Sequence, residues 1–371
     1  MIYLKEFDSH SSYESEVNGG GVDINLPNVS YCNDVNDVHF NPYNLIEFYV
    51  GEITGTTPQT VKIYTDSSTS VDVQVSKGNK WYSYVLPKDK GLYKIEGDSV
   101  KNVVVKADIS FQQTGNHPGN IINFIPSSTV EASFKGSNTT NVTNISFMFS
   151  DIKNLISLDL SNFNTSSVTN MGSMFAYCSN LTSLDLNNFN TSNITDMSNM
   201  FGSCSGLTSL DLSNFNTSNV TDMNSMFNSC SNLTSLDLSN FNTSKVTGMS
   251  SMFFGCSGLT SLDLSNFNTS KVTDMSSMFQ KCKGLTSLDL SHFNTSNVTR
   301  MGIMFYDCNK LTSLDLSGWN TSNVTYTTEM FGGCNNLNAI RMVGCTPETR
   351  TKIEEALTAA GIKDKVRIET T

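Results

Sequence analysis

Seven of the nine cysteines recur every 26 residues, at Cys178, Cys204, Cys230, Cys256, Cys282, Cys308 and Cys334, while Cys32 and Cys345 stand apart. A regular column of thiols could form disulfides between repeats or hold a metal. An odd set of equivalent cysteines cannot all pair with one another. The simpler expectation is reduced, buried thiols acting as small hydrophobes. A second column is acidic: Asp159, Asp185, Asp211, Asp237, Asp263, Asp289 and Asp315 each stand between two apolar positions, as in Leu184-Asp185-Leu186. Stacked about 4.8 Å apart, such carboxylates repel by roughly 1 kcal/mol even in water. Hydrogen bonds from serines such as Ser183 and Ser209 would offset this, and so would an array of Ca²⁺ ions. The hydrogen-bonded ladder is the expectation, with no cofactor and Ca²⁺ as the alternative.

Catalytic patterns are missing. His10, His39, His117 and His292 have no second histidine or carboxylate at metal-ligand spacing. There is no H-E-x-x-H, G-x-S-x-G or phosphate-binding glycine loop. A glycan-cleaving enzyme would need a carboxylate pair in a cleft, where this chain has a regular ladder. The sequence is therefore read as non-enzymatic.

The columns imply a repeat that positions them. Leu181-Thr-Ser-Leu-Asp-Leu186 returns at Leu207, Leu233, Leu259, Leu285 and Leu311, with degenerate copies at Leu155 and Leu337. That makes eight coils with atypical ends, as a capped solenoid requires. Within Leu181–Gly206, the alternation around Leu184 and Leu186 predicts a short strand. Asn188-Phe189-Asn190-Thr191-Ser192 predicts a turn with Phe189 inward. Met197, Met200, Phe201 and Cys204 fall at i, i+3, i+4 and i+7 and predict a short helix capped by Thr195 or Asp196. The fold expected is an α/β leucine-rich-repeat solenoid, one short parallel strand and one short helix per coil, rising about 4.8 Å per coil to a rod of roughly 40 Å, preceded by a small all-β domain.

The units resemble the BspA-type leucine-rich repeats of bacterial surface proteins, the Mycoplasma-lipoprotein-like class. The match is carried by Leu207-Thr-Ser-Leu-Asp-Leu-Ser-Asn-Phe-Asn-Thr-Ser-Asn-Val-Thr-Asp-Met-Asn-Ser-Met-Phe227 and Cys230. It departs from common leucine-rich repeats where Phe163, Phe189, Phe215, Phe241, Phe267, Phe293 and Trp319 replace an asparagine ladder. The resemblance implies adhesion and the binding of host or matrix molecules.

Residues 1–44 are read as an attachment segment. Their stretch Leu26-Pro-Asn-Val-Ser-Tyr-Cys-Asn-Asp-Val-Asn-Asp-Val-His-Phe-Asn-Pro42 resembles N-terminal segments of proteins of gut Bacteroidetes and their phages, virion proteins included. Residues 45–111 carry six short β-rich runs, read as a small antiparallel sandwich. Residues 112–136 form a linker and entry to the cap, 137–345 the solenoid, and 346–371 a helix-strand cap with Pro347 at its first helical position and Gly361 past its end.

The first eight residues do not read as a signal peptide, and no run of 18 apolar residues predicts a membrane helix. The net charge of −11, without a basic cluster, argues against nucleic acid and anionic membrane as partners. The preferred reading is a phage decoration or fibre protein at the virion surface. Its N-terminal segment would dock on a virion structural protein, and its rod would contact a host-surface glycan or protein, in a homo-oligomer if it is fibre-like. The alternative is a BspA-like adhesin on the bacterial cell surface. The residues before each cysteine vary between coils, and Tyr177, Phe254 and Tyr306 are the contact candidates there. The repetitive face carrying Asp185, Asp211, Asp237, Asp263, Asp289 and Asp315 is the second candidate.

Overall fold

The computed structural model describes residues 6–7, 44–53, 59–64, 70–75, 80–85, 94–96, 100–109, 125, 127–134, 139 and 142–371. Most of the attachment segment and of the linker lies outside these residues. Seven strands precede the solenoid: β1 (Glu6–Phe7), β2 (Asn44–Ile53), β3 (Gln59–Tyr64), β4 (Ser70–Val75), β5 (Lys80–Val85), β6 (Lys94–Glu96) and β7 (Val100–Ile109). Strands β4-β3-β6 form one antiparallel sheet. The other has the order β1-β5-β2-β7 and continues into β8 (Thr129–Ser133) and β9 (Ser157–Asp159). Alternate residues of both sheets, Ile46, Phe48 and Val50 from one and Val61, Ile63, Val73 and Val75 from the other, are buried in one core, as period-two patterning requires.

The two parts of the chain share a sheet. The pairings β1–β5, β5–β2 and β2–β7 are antiparallel, but β7–β8 and β8–β9 are parallel. Glu131 pairs with Ser157, one 26-residue period away. The solenoid therefore starts one turn earlier than the eight coils legible in the sequence, and its first strand is templated by β7.

The coils stack as a solenoid, but the helix expected in each is absent. Residues 197–204 form two tandem four-residue turns, with Met200 N–H donating to Met197 O (3.2 Å) and Cys204 N–H to Phe201 O (3.1 Å). The third residue of each turn, Asn199 and Ser203, has φ of +53° and +60°, as a type II turn demands. Tandem turns bury their first and fourth residues, so they reproduce the i, i+3, i+4, i+7 spacing of a helix face. Two physical reasons favour the turns. A two-turn helix is marginal alone, and Ser and Asn tolerate left-handed backbone better than most residues. The turns also free alternate N–H groups for the next coil: Met197, Asn199, Phe201 and Ser203 donate to Asp222, Asn224, Met226 and Asn228 at 2.6–3.0 Å. A helix would have consumed those donors internally. Asp196, expected as a helix cap, instead accepts from Ser198 N–H (2.8 Å) to set the first turn.

The ladder between coils has thus moved to the opposite side of each coil. It runs as parallel bridges through Asn144, Asn170, Asp196, Asp222, Gly248, Asp274, Arg300 and Tyr326. The leucine segments pair as true strands only toward the ends, in β9, β10 (Ser287–Asp289), β11 (Ser313–Asp315) and β12 (Ala339–Arg341). From Leu181 to Leu264 they are not hydrogen-bonded strands.

Side chains supply the remaining ties. Phe149, Phe175, Phe201, Phe227, Phe253, Phe279, Phe305 and Phe331 stack at 5.6–6.0 Å between centroids, within 11° of parallel. The expected aromatic column, Phe163 to Trp319, is buried. The unbroken stack, however, belongs to the phenylalanines of the tandem turns. Deep in the turn, Thr165, Thr191, Thr217, Thr243, Thr269, Thr295 and Thr321 are fully buried. Each of the first six hydroxyls donates to the carbonyl of an Asn in the next coil, as Thr243 does to Asn268 (3.1 Å), and Thr243 also accepts from the Asn268 N–H (2.7 Å).

At the far end, helix α1 (Pro347–Ala359) begins at Thr346, whose hydroxyl accepts from Thr349 N–H (3.2 Å), and is followed by Gly361 at φ +71°. Strand β13 (Arg367–Glu369) pairs in parallel with β12. The buried Thr349 hydroxyl ends the threonine ladder by accepting from Thr321 N–H (3.0 Å), and Lys352 donates to Thr321 O and Val324 O (2.9 and 2.6 Å). The cap thus satisfies backbone groups that a further coil would have met.

The left-handed columns give a direct test of the turn geometry. Ile303 is β-branched yet has φ +51°, where the five preceding coils hold Asn199 or a serine, with Phe147 and Glu329 at the two ends of the column. Ile303→Asn should stabilise the protein by about 1 kcal/mol and raise the thermal midpoint by about 2–4 °C. A helical segment there would gain nothing from the change.

Candidate functional site

One oxygen of each carboxylate in the acidic column is held by the backbone. Asp185, Asp211, Asp237, Asp263, Asp289 and Asp315 each accept a hydrogen bond at 2.9–3.0 Å from the N–H two residues on, that of Asn187, Ser213, Ser239, Ser265, Ser291 or Ser317. These are Asx turns that swing the chain from the leucine segment into the next corner. The Ser213, Ser239 and Ser265 N–H groups hold the Asp211, Asp237 and Asp263 carboxyls below the ordinary aspartate range. The sign follows directly: these groups add stability above the unfolded carboxylate pKa, and that contribution is lost as pH falls through the lowered folded values. Asp315 also pairs with Arg341 at 3.1 Å. Among the described residues, no three His, Cys, Asp or Glu side chains are grouped so as to hold a metal ion.

The thiol column faces inward. Cys178, Cys204, Cys230, Cys256, Cys282, Cys308, Cys334 and Cys345 are buried free thiols. The Cys204 Sγ donates to Phe175 O at 3.0 Å, and the next five cysteines repeat the bond one coil further each time. Burial pushes the Cys178 and Cys256 thiols up to about 12. Such groups stay protonated at neutral pH and pack as small hydrophobes.

The positions flanking each cysteine behave differently. A groove of about 510 Å³ lies along them, lined by Tyr177, Ser203, Ser229, Gly255 and Lys281 before the cysteines, by Ser179, Ser205, Ser231, Ser257 and Lys283 after them, and by Lys153 and Phe254. Its floor is small because three consecutive coils place only serine or glycine there. Its ends are large: Tyr177, 49% exposed, at one and Phe254 with two lysines at the other. The Lys281 ammonium sits 5.4 Å from the centre of the Phe254 ring, a cation–π contact that holds both at the wall. Lys153 and Lys283 pair at the rim with Asp151 and Asp307, both at 3.1 Å. From the cysteine after Tyr177 to the one after Lys281 is four coil steps, each 5.8–5.9 Å along the neighbouring Phe stack.

Two of the three aromatic candidates are therefore brought into one groove. Tyr306 is not; its ring lies over Gly332 in the next coil. The serine floor and the three lysines are site features that the sequence reading passed over. The signal was available as a run of small residues before and after consecutive cysteines, interrupted by Tyr177 on one side and Lys281 on the other. Tyr326, 45% exposed and covering Gly302, and Ile156, 54% exposed, were likewise not singled out.

The family model for "Mycoplasma protein of unknown function, DUF285" matches residues 123–235, 181–262, 202–289 and 259–342. Together these cover 123–342, more than half of the 371 residues, and the chain belongs to this family. It is a repeat protein of the BspA-like, leucine-rich solenoid type. No curated protein matches it. Among solved structures, a leucine-rich cell surface protein from Faecalibacterium prausnitzii A2-165 matches with 17% identity over 83% of this chain and 94% of that one, at a TM-score of 0.29. Neither match supports attachment to a virion, and most of the segment behind that expectation lies outside the described residues. Among those residues no helix is long and apolar enough to cross a membrane.

Proposed function

We propose that the solenoid is a non-enzymatic binding scaffold of the cell-surface adhesin kind, and that it engages an extended partner in the groove between Tyr177 and Lys281. The carrying observation is the distribution of variation. Core and ladder positions are copied from coil to coil, whereas the flanks of the cysteines drift, and there the drift builds a trough with a small polar floor and bulky ends. Solenoids use such lateral surfaces for recognition because a stack of identical backbones lets the surface residues change freely. The aspartate face, its carboxylates committed to Asx turns, serves the fold. The surface assignment rests on the BspA-type repeat pattern.

The test compares two variants on arrays of surface glycans and matrix proteins. Ser231→Tyr fills the floor of the groove and should reduce binding at least about tenfold, while Asp237→Asn, which keeps a side-chain oxygen for Ser239 N–H, should leave it unchanged. Loss of binding in Asp237→Asn with retention in Ser231→Tyr would place recognition on the aspartate face instead.

A further inference from the structure

The groove also specifies the chemistry of its occupant, given the binding reading above. We infer that it takes a short stretch of a β-linked polysaccharide bearing carboxylates, about four sugar residues long, one per coil step, with an acid group at Lys281.

Three observations converge on this ligand. The first is charge. The chain carries a formal net charge of −11, yet the groove is lined by Lys153, Lys281 and Lys283 and by no carboxylate. Two of these lysines spend their charge on Asp151 and Asp307. Lys281 pairs with no carboxylate among the described residues and is steered to the wall by Phe254. One fixed, available cation in an acidic protein favours an acidic ligand and disfavours a basic one.

The second is hydrogen bonding. The hydroxyls of Ser179, Ser203 and Ser231 have no partner among the described residues, whereas Ser229 donates to Asn228 Oδ1 (2.7 Å) and Ser205 and Ser257 donate to the Ser179 and Ser231 carbonyls (both 3.4 Å). The open hydroxyls face a ligand able both to donate and to accept, as sugar hydroxyls do. Tyr177, half-exposed at one end, offers a flat face for a sugar ring and a phenol at its edge.

The third is spacing. The coils beneath the floor repeat every 5.8–5.9 Å along the neighbouring Phe stack, nearer to the length of one β-linked pyranose unit than to the roughly 3.3 Å advance of an extended peptide residue. An extended peptide advances about 3.3 Å per residue, so it falls out of step with the coils within two of them. A sugar chain therefore tracks the coils more closely than a peptide does.

The experiment is calorimetric titration of the full chain with tetrameric β-linked mannuronate and a hyaluronan oligomer, with a neutral β-glucan tetramer and polyglutamate as comparators. At least one uronate should bind with Kd below about 1 mM and weaken as salt is raised. Lys281→Gln should weaken that uronate about tenfold, Lys281→Arg should restore it, and Tyr177→Ala should weaken it in proportion to its affinity for the neutral glucan. Equal binding of the neutral glucan, unchanged in Lys281→Gln, would overturn the acidic assignment and leave the groove reading intact. Tighter binding of polyglutamate would overturn the sugar assignment. Failure of every sugar overturns the inference too. The groove reading then stands if Ser231→Tyr still abolishes array binding, and falls with it if Ser231→Tyr has no effect.

Discussion

Replacing Phe227 by alanine should destabilise the protein by about 3–5 kcal/mol. The ring is fully buried and stacks on Phe201 and Phe253, both at 5.9 Å and within 8° of parallel. Removing it leaves a cavity that neighbouring coils cannot close, because their own rings are held by the same stack. Each coil touches only its neighbours, so the loss falls on two interfaces at once. A urea titration should show a lower midpoint and a broader or split transition as the array separates into two blocks. Phe254→Ala is the matched control: that ring lies one residue from the stack, at the groove wall, and its removal should cost under about 1 kcal/mol.

The second large effect is polar. Thr243→Val preserves shape but deletes a hydroxyl that both accepts from Asn268 N–H and donates to Asn268 O. The two backbone groups lose their partner in an interior with none to replace it, at a cost of about 2–3 kcal/mol. Thr243→Ser keeps both bonds and should cost under about 1 kcal/mol. Thermal melts of the three proteins decide the matter, and equal midpoints for valine and threonine would show that the threonine ladder contributes only packing.

These two ladders illustrate what a single sequence exposes. Columns that repeat are legible, and the 26-residue period placed the leucines, methionines, phenylalanines and cysteines in the core, where the structure has them. Spacing alone could not choose between a helix and tandem turns, since both bury i, i+3, i+4 and i+7. The deciding information lay in residue types between the apolar ones: Ser198, Asn199, Gly202 and Ser203 in one coil, and Gly255 and Gly333 in the left-handed column of others. The buried threonines were hidden for a different reason. Asn-Thr-Ser reads as a generic turn, and only stacking reveals that its middle residue faces inward to meet the next coil. The repulsion of the aspartates was visible in sequence, and a hydrogen-bonded ladder was expected from it, but the donor was not legible: it is the N–H two residues on and not a neighbouring serine hydroxyl such as Ser183 or Ser209. The groove was half legible: Tyr177 and Phe254 stood out as variable aromatics, but their meeting across the serine floor needs the coil geometry.

The claim that these residues form the recognition surface is tested most directly by hydroxyl-radical footprinting of the protein with and without a saturating ligand from the array. Tyr177 and Phe254 should be protected together on binding, while the similarly exposed Tyr326 and Ile156 outside the groove keep their oxidation rates. Protection of Tyr326 or Ile156 with Tyr177 and Phe254 unchanged would contradict the account.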